Sequence, residues 1–266
     1  MDTPADNANH EGRQQAGRAM GELEGRRALI TGAGRGMGRA HALKMAQNGA
    51  EIVVQDIDRE LAHQTVALVE KAGGTARAMV GDVSEIADLK AKVAAAGAID
   101  ILVNNAGIDR PGTIEEIDEA GFDAMFAIHV KGAFFATQAV VPGMKARRWG
   151  KIVNVSSIWG MTGFTSHSHY CAAKAALLGL TKAWAKELAP WNINVNALAP
   201  GGVWTEMELA QRGPEGIREA EARVPLGRWS QPEEQSESVL FLVTDRSSFI
   251  TGQCISANGG STIVGI

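Results

Sequence analysis

Four glycines lie within eight residues of this chain, in the segment Thr31-Gly32-Ala33-Gly34-Arg35-Gly36-Met37-Gly38. The segment follows a short apolar run, 28–31, and precedes an amphipathic stretch, 37–48. Glycines between a strand and a helix permit a tight turn and let the backbone approach a pyrophosphate, whose charge the N–H groups at the helix N-terminus stabilise. Because glycine-rich turns are common, this segment predicts a dinucleotide site only if its surroundings agree.

An acidic residue follows at the spacing that a dinucleotide site needs. Asp56 ends the next apolar run and lies 18 residues after Gly38 (56 minus 38), close to where an acid accepts hydrogen bonds from the adenosine ribose hydroxyls. A carboxylate there repels the 2′-phosphate of NADP. Arg35 is a guanidinium that is able to bind such a phosphate or to contact solvent, but Ile57 beside the acid is not a base. The sequence therefore predicts NAD as the cofactor.

Apolar runs and helical patterns alternate along the rest of the chain. Strands are predicted at 28–31, 51–55, 76–80, 99–103, 151–155 and 192–197, and helices at 37–48, 59–72, 85–96, 115–148, 168–188 and 232–243. We expect the long helix to break near Gly121 and the last one to begin with a capping box formed by Ser230 and Glu233. Near-continuous Val, Ile and Leu is typical of strands buried on both faces. The pattern predicts an α/β fold, a single Rossmann-like domain with a doubly wound parallel sheet and helices on both faces.

The composition is typical of a globular protein. Of 266 residues, 45% are hydrophobic and 21% charged, and the net charge of -4 offers no attraction for nucleic acid or an acidic membrane surface. No run approaches 18 apolar residues, and no signal peptide is evident, so we expect a cytoplasmic protein. Residues 1–22 predict a disordered polar tail and 23–266 a catalytic domain. Cys171 and Cys254 lie in apolar segments and are expected to be buried free thiols, and no cluster predicts a metal site.

The chain has a single tyrosine, Tyr170, four residues before Lys174 on one face of a predicted helix. A phenol titrates near pH ~10, so acid–base chemistry at neutral pH needs a downward shift of about three units, roughly 4 kcal/mol. A lysine about 4 Å away supplies that much at an effective dielectric of about 20. Ser157 follows the fifth strand, where its hydroxyl is expected to hold a substrate oxygen while Tyr170 exchanges the proton. Taken alone, each residue is better explained as part of a helix cap or an ordinary surface pair than as a catalytic group.

Together these motifs resemble the short-chain dehydrogenase/reductase family from about Leu23 to the C-terminus. The resemblance is carried by the glycine segment, Asp82-Val83, Asn104-Asn105-Ala106-Gly107, Ser157, Tyr170, Lys174, Pro200-Gly201, Gly252-Gln253 and Asn258-Gly259-Gly260. It implies cofactor contacts for Gly32, Arg35, Gly36, Met37, Gly38 and Asp56, and adenine contacts for Asp82 and Val83. It also implies that Asn105 and Gly107 line the adenosine side, that Val203 and Thr205 hold the carboxamide, and that Tyr170 and Lys174 contact the cofactor.

One position departs from the family pattern. His129 stands where the family usually has an asparagine that kinks its helix and holds a water linking the lysine to solvent. Histidine also bonds to water and takes up a proton near neutral pH. We expect His129 to keep this proton relay, the alternative being a helix residue without a role.

The substrate pocket is predicted around the serine and after Pro200. Its candidate residues are large and mostly apolar or imidazole-bearing, namely Trp159, Met161, Phe164, His167, His169 and Trp204. Residues 203–228 are expected to form a mobile lid. The helix after Tyr170 is small or apolar around most of its circumference, which, with the family resemblance, predicts a homotetramer.

The expected activity is interconversion of a secondary alcohol and a ketone with NAD, by hydride transfer and with Tyr170 as acid and base. A 3-oxoacyl carrier-protein reductase or 3-hydroxyacyl thioester dehydrogenase is an alternative, against whose NADPH form Asp56 argues. A non-catalytic NAD-binding sensor is a further alternative of another class, although sensing needs none of the three catalytic candidates.

Overall fold

The computed structural model describes residues 21–264. These residues form one sheet of seven parallel strands in the order β3-β2-β1-β4-β5-β6-β7. The strands are β1 (Arg27–Thr31), β2 (Glu51–Asp56), β3 (Thr75–Val80), β4 (Ile101–Asn104), β5 (Gly150–Val155), β6 (Ile193–Leu198) and β7 (Cys254–Ile255). The predicted parallel, doubly wound sheet is confirmed.

Helices connect the strands and cover both faces of the sheet. They are α1 (Gly36–Gln47), α2 (Arg59–Lys71), α3 (Ile86–Ala95), α4 (Glu119–Phe126), α5 (Ala133–Arg147), α6 (Trp159–Thr162), α7 (Ser168–Leu188), α8 (Glu206–Glu221) and α9 (Pro232–Val243). Side chains of α1, α2 and α9 pack in the core on one face, and those of α3, α5 and α7 in the core on the other.

Alternating side chains of the central strand enter these two cores. In β1, Ala28 and Ile30 join the α1 and α9 side, whereas Leu29 joins the α5 and α7 side, and all three are fully buried. Each large apolar side chain so buried contributes about 1.5–3 kcal/mol. The strands are thereby fixed from both faces, and the loops at their carboxyl ends start from rigid positions.

The helix predicted at 115–148 differs in detail from the structure. It begins at Glu119, because the Asp118 carboxylate accepts a hydrogen bond from the Gly121 N–H (2.7 Å) and caps the first turn. The predicted break near Gly121 is therefore wrong. The irregularity lies instead at Ala127–Gly132, a π-helical segment between α4 and α5, and it carries His129.

The predicted capping box of the last helix is wrong by one residue. Gln231 and Glu234 form the reciprocal pair at the start of α9. The Ser230 hydroxyl instead accepts a hydrogen bond from the Gln235 amide (2.7 Å). Helices α6 and α8 and strand β7 have no counterpart in the sequence prediction. Helix α6 is a single turn, α8 is interrupted by a non-helical Gly213 before Pro214, and β7 has two residues.

Residues 1–20 of the predicted tail, 1–22, lie outside the described residues. Leu23 is buried and its N–H donates to the Asn48 carbonyl (2.9 Å). The expectation of buried thiols is wrong, because Cys171 is half-buried and Cys254 is exposed on the edge strand β7.

One helical run, Glu119–Arg147, is long and apolar enough by length and composition to cross a membrane. This run comprises α4, the π-helical segment and α5, and α5 packs Ala136, Val140 and Met144 into the core beside the sheet. A core helix of a globular domain has the same length and composition, so the run is weak evidence for a membrane span.

Candidate active site

A cavity of about 840 Å³ lies at the carboxyl ends of the strands. All the predicted cofactor residues line it: Gly32, Arg35, Gly36, Met37, Gly38, Asp56, Asp82, Val83, Asn105, Gly107, Tyr170, Lys174, Val203 and Thr205. Ser157 and His129 line the same cavity. The fold thus brings two sets of sequence motifs, the glycine segment and the Ser, Tyr and Lys set, to one site.

The glycine loop leaves the N-terminus of α1 open to this cavity. Gly36 begins α1 with φ +53°, and a Cβ built on it would meet no atom closer than 3.5 Å. The N-cap residue, Arg35, makes no side-chain cap hydrogen bond, and the first turn contains no acid. Uncapped N–H groups at a helix N-terminus bind anions. This end of α1 therefore fits a dinucleotide pyrophosphate.

Two other glycines of the loop are required by the protein's own packing. A Cβ on Gly32 would lie 2.8 Å from the Ala106 Cα, and one on Gly38 would lie 2.1 Å from the Gly32 carbonyl oxygen. The Asn105 side-chain amide donates to the Thr31 (2.9 Å) and Gly32 (3.1 Å) carbonyls. Asn105 thus braces the loop from the neighbouring strand end, which the resemblance alone did not indicate.

Asp56 is held in place by backbone donors. Its Oδ2 accepts a hydrogen bond from the Gly34 N–H (2.7 Å) and its Oδ1 one from the Asp58 N–H (3.0 Å). A Cβ on Gly34 would lie 2.6 Å from Oδ2, so this glycine allows the close approach. Arg35, in contrast, is exposed at the cavity rim. The fixed charge at the end of β2 is therefore negative.

In the turn after β3, Asp82 accepts hydrogen bonds at Oδ1 from the Ser84 N–H and hydroxyl, both at 2.8 Å. Val83 is buried and packs against Gly132 of the π-helical segment. These two contacts hold the turn after β3 against the wall of the cavity.

Three catalytic candidates meet where β5 ends and α7 passes. The Lys174 ammonium donates to the Val155 carbonyl (2.8 Å) and lies 5.5 Å from the centre of the Tyr170 ring. The Ser157 Oγ accepts a hydrogen bond from the Trp159 N–H (3.2 Å). A phenol, a hydroxyl and an ammonium are thus placed around one corner of the cavity.

Burial has the largest effect on the pKa values of Tyr170 and Lys174. It raises the pKa of Tyr170 above its usual value, the charge of Asp109 adds to the rise, and hydrogen bonding by Ser157 opposes it. Burial also lowers the pKa of Lys174 to about 7, against the opposing charge of Asp109. The expected lowering of the phenol pKa by Lys174 is therefore wrong for the protein alone, because desolvation outweighs a lysine that is only partly charged near neutral pH.

His129 is a buried, neutral imidazole in the π-helical segment. Its Nε2 lies 2.8 Å from the Ile108 carbonyl oxygen and 3.0 Å from the Ile108 amide nitrogen, while Nδ1 is buried without a partner among residues 21–264. Burial, and then the charge of Lys174, lowers its pKa well below the usual value. A Cβ on Gly107 would lie 2.4 Å from its Cε1. The ring fits only because residue 107 is glycine.

The predicted substrate residues divide into two groups. Trp159 lines the cavity and stacks on Phe164, with ring centroids 4.1 Å apart. Met161, His167 and Trp204 do not line it. His167 faces Asp109 instead, with Nε2 3.5 Å from Oδ1. The Trp204 indole donates to the Glu221 carboxylate (2.9 Å) and packs behind α8.

Several lining residues were missed by the sequence analysis, namely Asp109, Glu208, Arg212 and Trp229. Three of them lie in or after α8, in a segment whose helical structure was not predicted. Asp109 had a usable signal, because it follows the Asn-Ala-Gly motif at the end of β4 by two residues.

A parallel doubly wound sheet with an open helix N-terminus and an acid at the end of β2 defines a nucleotide-binding α/β protein. A family model described as enoyl-(acyl carrier protein) reductase matches residues 32–262. The chain belongs to the short-chain dehydrogenase/reductase family. The family model and the sequence motifs thus agree over nearly the whole described chain.

Among curated relatives, the chain is 44% identical to a 3-oxoacyl-[acyl-carrier-protein] reductase of Thermotoga maritima, over 91% of this chain and 99% of that protein. It is 39% identical to a trans-4-hydroxycyclohexanecarboxylate dehydrogenase of Sinomonas cyclohexanicum, over 88% and 92%. A gluconate 5-dehydrogenase of Burkholderia cenocepacia, solved with NADP and tartrate, superposes with a TM-score of 0.85 at 37% identity, over 90% and 96%. The chain is accordingly an oxidoreductase that acts on CH–OH or keto groups with a nicotinamide cofactor.

Proposed function

We propose that this protein interconverts a secondary alcohol and a ketone with NAD as the preferred cofactor. The observation that carries the proposal is the convergence of Ser157, Tyr170 and Lys174 on the cavity that also contains the open N-terminus of α1. The bound nicotinamide supplies the acceptor or donor of hydride. The protein supplies the position of the substrate oxygen and the proton.

In the proposed mechanism the Ser157 hydroxyl donates to the substrate oxygen and fixes it beside the phenol. Tyr170 takes the hydroxyl proton during oxidation and returns it during reduction. Lys174, anchored on the Val155 carbonyl, stabilises the phenolate and is placed to hold the nicotinamide ribose hydroxyls. Because burial lowers its pKa to about 7, Lys174 is only partly charged near neutral pH and supplies part of the positive charge that favours the phenolate.

The preference for NAD rests on Asp56. Its carboxylate is fixed by two backbone N–H groups at the end of β2, and a fixed anion there repels a 2′-phosphate. Several structurally similar proteins were solved with NADP, and Arg35 lies at the same rim. The cofactor preference is therefore tested by comparing kcat/KM for NAD and NADP.

The decisive experiment is NADH formation by the purified protein with a panel of secondary alcohols, including cyclohexanol and its substituted derivatives. We expect turnover that needs the alcohol and is supported better by NAD than by NADP. Absence of turnover with every alcohol, combined with tight NADH binding, would favour the non-catalytic sensor.

A second candidate is reduction of a 3-oxoacyl group on a carrier protein or another thioester. It is favoured by the similarity to the Thermotoga maritima reductase. If the protein reduces an acetoacetyl thioester with a much higher kcat/KM than simple cyclic ketones, thioester reduction is its main activity.

We further propose that His129 serves in a proton relay from Lys174. Its orphaned Nδ1 is a buried polar atom that needs a partner, and a water would satisfy it. A neutral imidazole both donates and accepts, as such a relay requires.

The substrate is proposed to be a small alcohol or ketone, and the assembly a homotetramer in the cytoplasm. Phe122 and Phe134, on α4 and α5, are exposed apolar side chains on one continuous helical run, and a second subunit would cover them. A monomeric mass by light scattering would contradict the assembly. Residues 203–228, which contain α8, remain a proposed mobile lid.

A further inference from the structure

Asp109 is a nearly buried acid beside the catalytic corner. Its side chain is 6% exposed, and it follows the Asn-Ala-Gly motif at the end of β4 and lines the cavity. Its Oδ1 is buried beside His167 and has no hydrogen-bond donor among the described residues, so a ligand in the cavity would meet Oδ2. The charge of Asp109 acts on both Tyr170 and Lys174. A buried carboxylate without a full set of donors is costly unless a ligand completes it.

The nearest polar group does not complete it. His167 Nε2 is 3.5 Å from Asp109 Oδ1, beyond an ordinary hydrogen bond, and His167 Nδ1 lies 2.9 Å from the Thr165 carbonyl. His167 therefore lies beside the carboxylate without making a hydrogen bond to it. His169, the other imidazole close enough to act on this acid, lies outside the cavity.

The backbone around Asp109 is fastened on two sides. Its carbonyl accepts a hydrogen bond from the Gln211 amide of α8 (3.3 Å). Gly112 N–H donates to the Ser166 carbonyl (2.8 Å), and Ser166 has φ +56°, an uncommon conformation for a residue other than glycine. These contacts hold the acid in place before any substrate arrives, as a recognition group requires.

The surroundings favour a neutral, hydroxylated ring over an ion. Five acids and five Lys or Arg side chains line the cavity, and Glu208 is paired with Arg212 (2.8 Å). The cofactor's diphosphate would make the loaded site net negative, which disfavours an anionic substrate. The stacked Trp159 and Phe164 rings provide a flat apolar wall of the kind that packs against the C–H face of a ring.

We propose that Asp109 is a specificity-determining residue, whose carboxylate accepts a hydrogen bond from a second hydroxyl group of a neutral ring alcohol. The enzyme then prefers ring diols and polyols over the corresponding mono-alcohols. This inference rests on the proposed function, because the diol is oxidised at its other hydroxyl by the same catalytic corner. Hydrogen bonds to an ionised acceptor are stronger than neutral ones.

The test compares cyclohexane-1,2-diols and cyclohexane-1,3-diols with cyclohexanol in the NAD-loaded enzyme. We expect at least one diol to have a kcat/KM about tenfold above that of cyclohexanol. In Asp109→Ala that ratio should fall by at least tenfold, and in Asp109→Asn by a smaller factor, since the amide oxygen still accepts but is uncharged. Glu208→Gln, which removes the other acid acting on Tyr170, should keep the ratio within about twofold.

A binding measurement separates this inference from the proposed chemistry. Quenching of tryptophan fluorescence by the diol, in Tyr170→Phe loaded with NADH, gives a Kd that needs no turnover. A Kd about tenfold weaker on adding Asp109→Ala supports the inference even if no alcohol is oxidised. An unchanged Kd and an unchanged ratio would overturn it. So would a preference of the unmodified enzyme for 2-aminocyclohexanol or for 4-hydroxycyclohexanecarboxylate, which would indicate a cation or an anion subsite.

Discussion

The cavity has two halves that are built differently. We call the part around Asp56 and Asn105 the cofactor half and the part around Asp109 and His129 the substrate half. In the cofactor half, Asp56 and Asn105 are bonded to backbone groups of the loop that they support. In the substrate half, Asp109 Oδ1 and His129 Nδ1 are buried without partners among residues 21–264. In the first half the protein braces the loop itself and leaves only the N–H groups at the start of α1 for a ligand, whereas the second keeps buried polar side-chain atoms without partners.

The difference indicates which half is free to change. A loop whose glycines are required by its own packing, such as Gly32 and Gly38, tolerates little substitution. Side chains of α6, α8 and the loops around them can be substituted without disturbing the sheet. We therefore expect mutations in the substrate half to alter selectivity, and mutations in the cofactor half to alter folding or the choice of cofactor.

The largest effect is expected where the two halves meet. Tyr170→Phe removes the proton donor but keeps the ring, and we expect kcat to fall by about 10²–10⁴-fold. NADH binding, followed by fluorescence, should change less than about threefold. A variant that retains more than a tenth of the turnover would contradict the assignment of the proton transfer to Tyr170.

A smaller effect is expected within the cofactor half. Asp56→Ala removes the fixed anion, and the ratio of kcat/KM for NAD over NADP should fall by about 10–100-fold, the size of a charged hydrogen bond. Arg35→Ala is the matched control at the same rim. If Arg35 binds a 2′-phosphate, the Arg35→Ala substitution should lower kcat/KM for NADP and leave kcat/KM for NAD unchanged. An unchanged ratio in the Asp56 variant would place the cofactor preference elsewhere.

In the substrate half, His129→Ala should reduce kcat by about tenfold, less than the roughly 10²–10⁴-fold of a group that exchanges a proton with the substrate, because His129 acts through Lys174. The Kd for NADH should stay within about twofold. His129→Asn restores the family residue and should recover most of the turnover and the pH profile. Equal losses in the two variants would show that the imidazole serves packing against Gly107.

The remaining prediction concerns stability and a residue outside the cavity. His41 on α1 is fully buried, its Nδ1 is 2.8 Å from the Ser236 hydroxyl, and burial lowers its pKa to about 3. The unfolded chain takes up this proton below pH ~6.5 and the folded chain does not, so stability is lost as pH falls from about 6.5 to 3, by up to about 1.4 kcal/mol per pH unit. The free energy of unfolding, measured with urea, should fall less steeply with decreasing pH in His41→Gln than in the unmodified protein.

His63→Gln, on the exposed surface of α2, is the matched control for that experiment. It should leave the acid slope unchanged. Equal slopes in all three proteins would show that the His41 ring is not buried as a neutral group.

The sheet was predictable because Val-, Ile- and Leu-rich runs recur with turn signals between them, and six of the seven strands follow from that pattern alone. The cofactor half was predictable because its residues either lie in one consecutive segment, as Gly36 does, or end a strand, as Asp56 does. The substrate half was predictable only in part. Trp159 was expected there, whereas Asp109 and Trp229 lie on loops that only the fold brings to the cavity. The pKa of Tyr170 was misjudged because sequence shows the nearby charge of Lys174 but not the burial of both groups.

The π-helical segment at Ala127–Gly132 has a consequence for how the long helix presents its faces. One additional residue in a helix of 3.6 residues per turn rotates everything after it by about 100°. Helices α4 and α5 are therefore out of phase, and α5 directs Val140 and Met144 to the core in a register that an uninterrupted helix would miss. Deletion of a single residue there would turn that apolar side toward solvent. His129 lies within this segment, with its ring centroid 5.5 Å from that of Tyr170, so the same register places the imidazole beside the phenol.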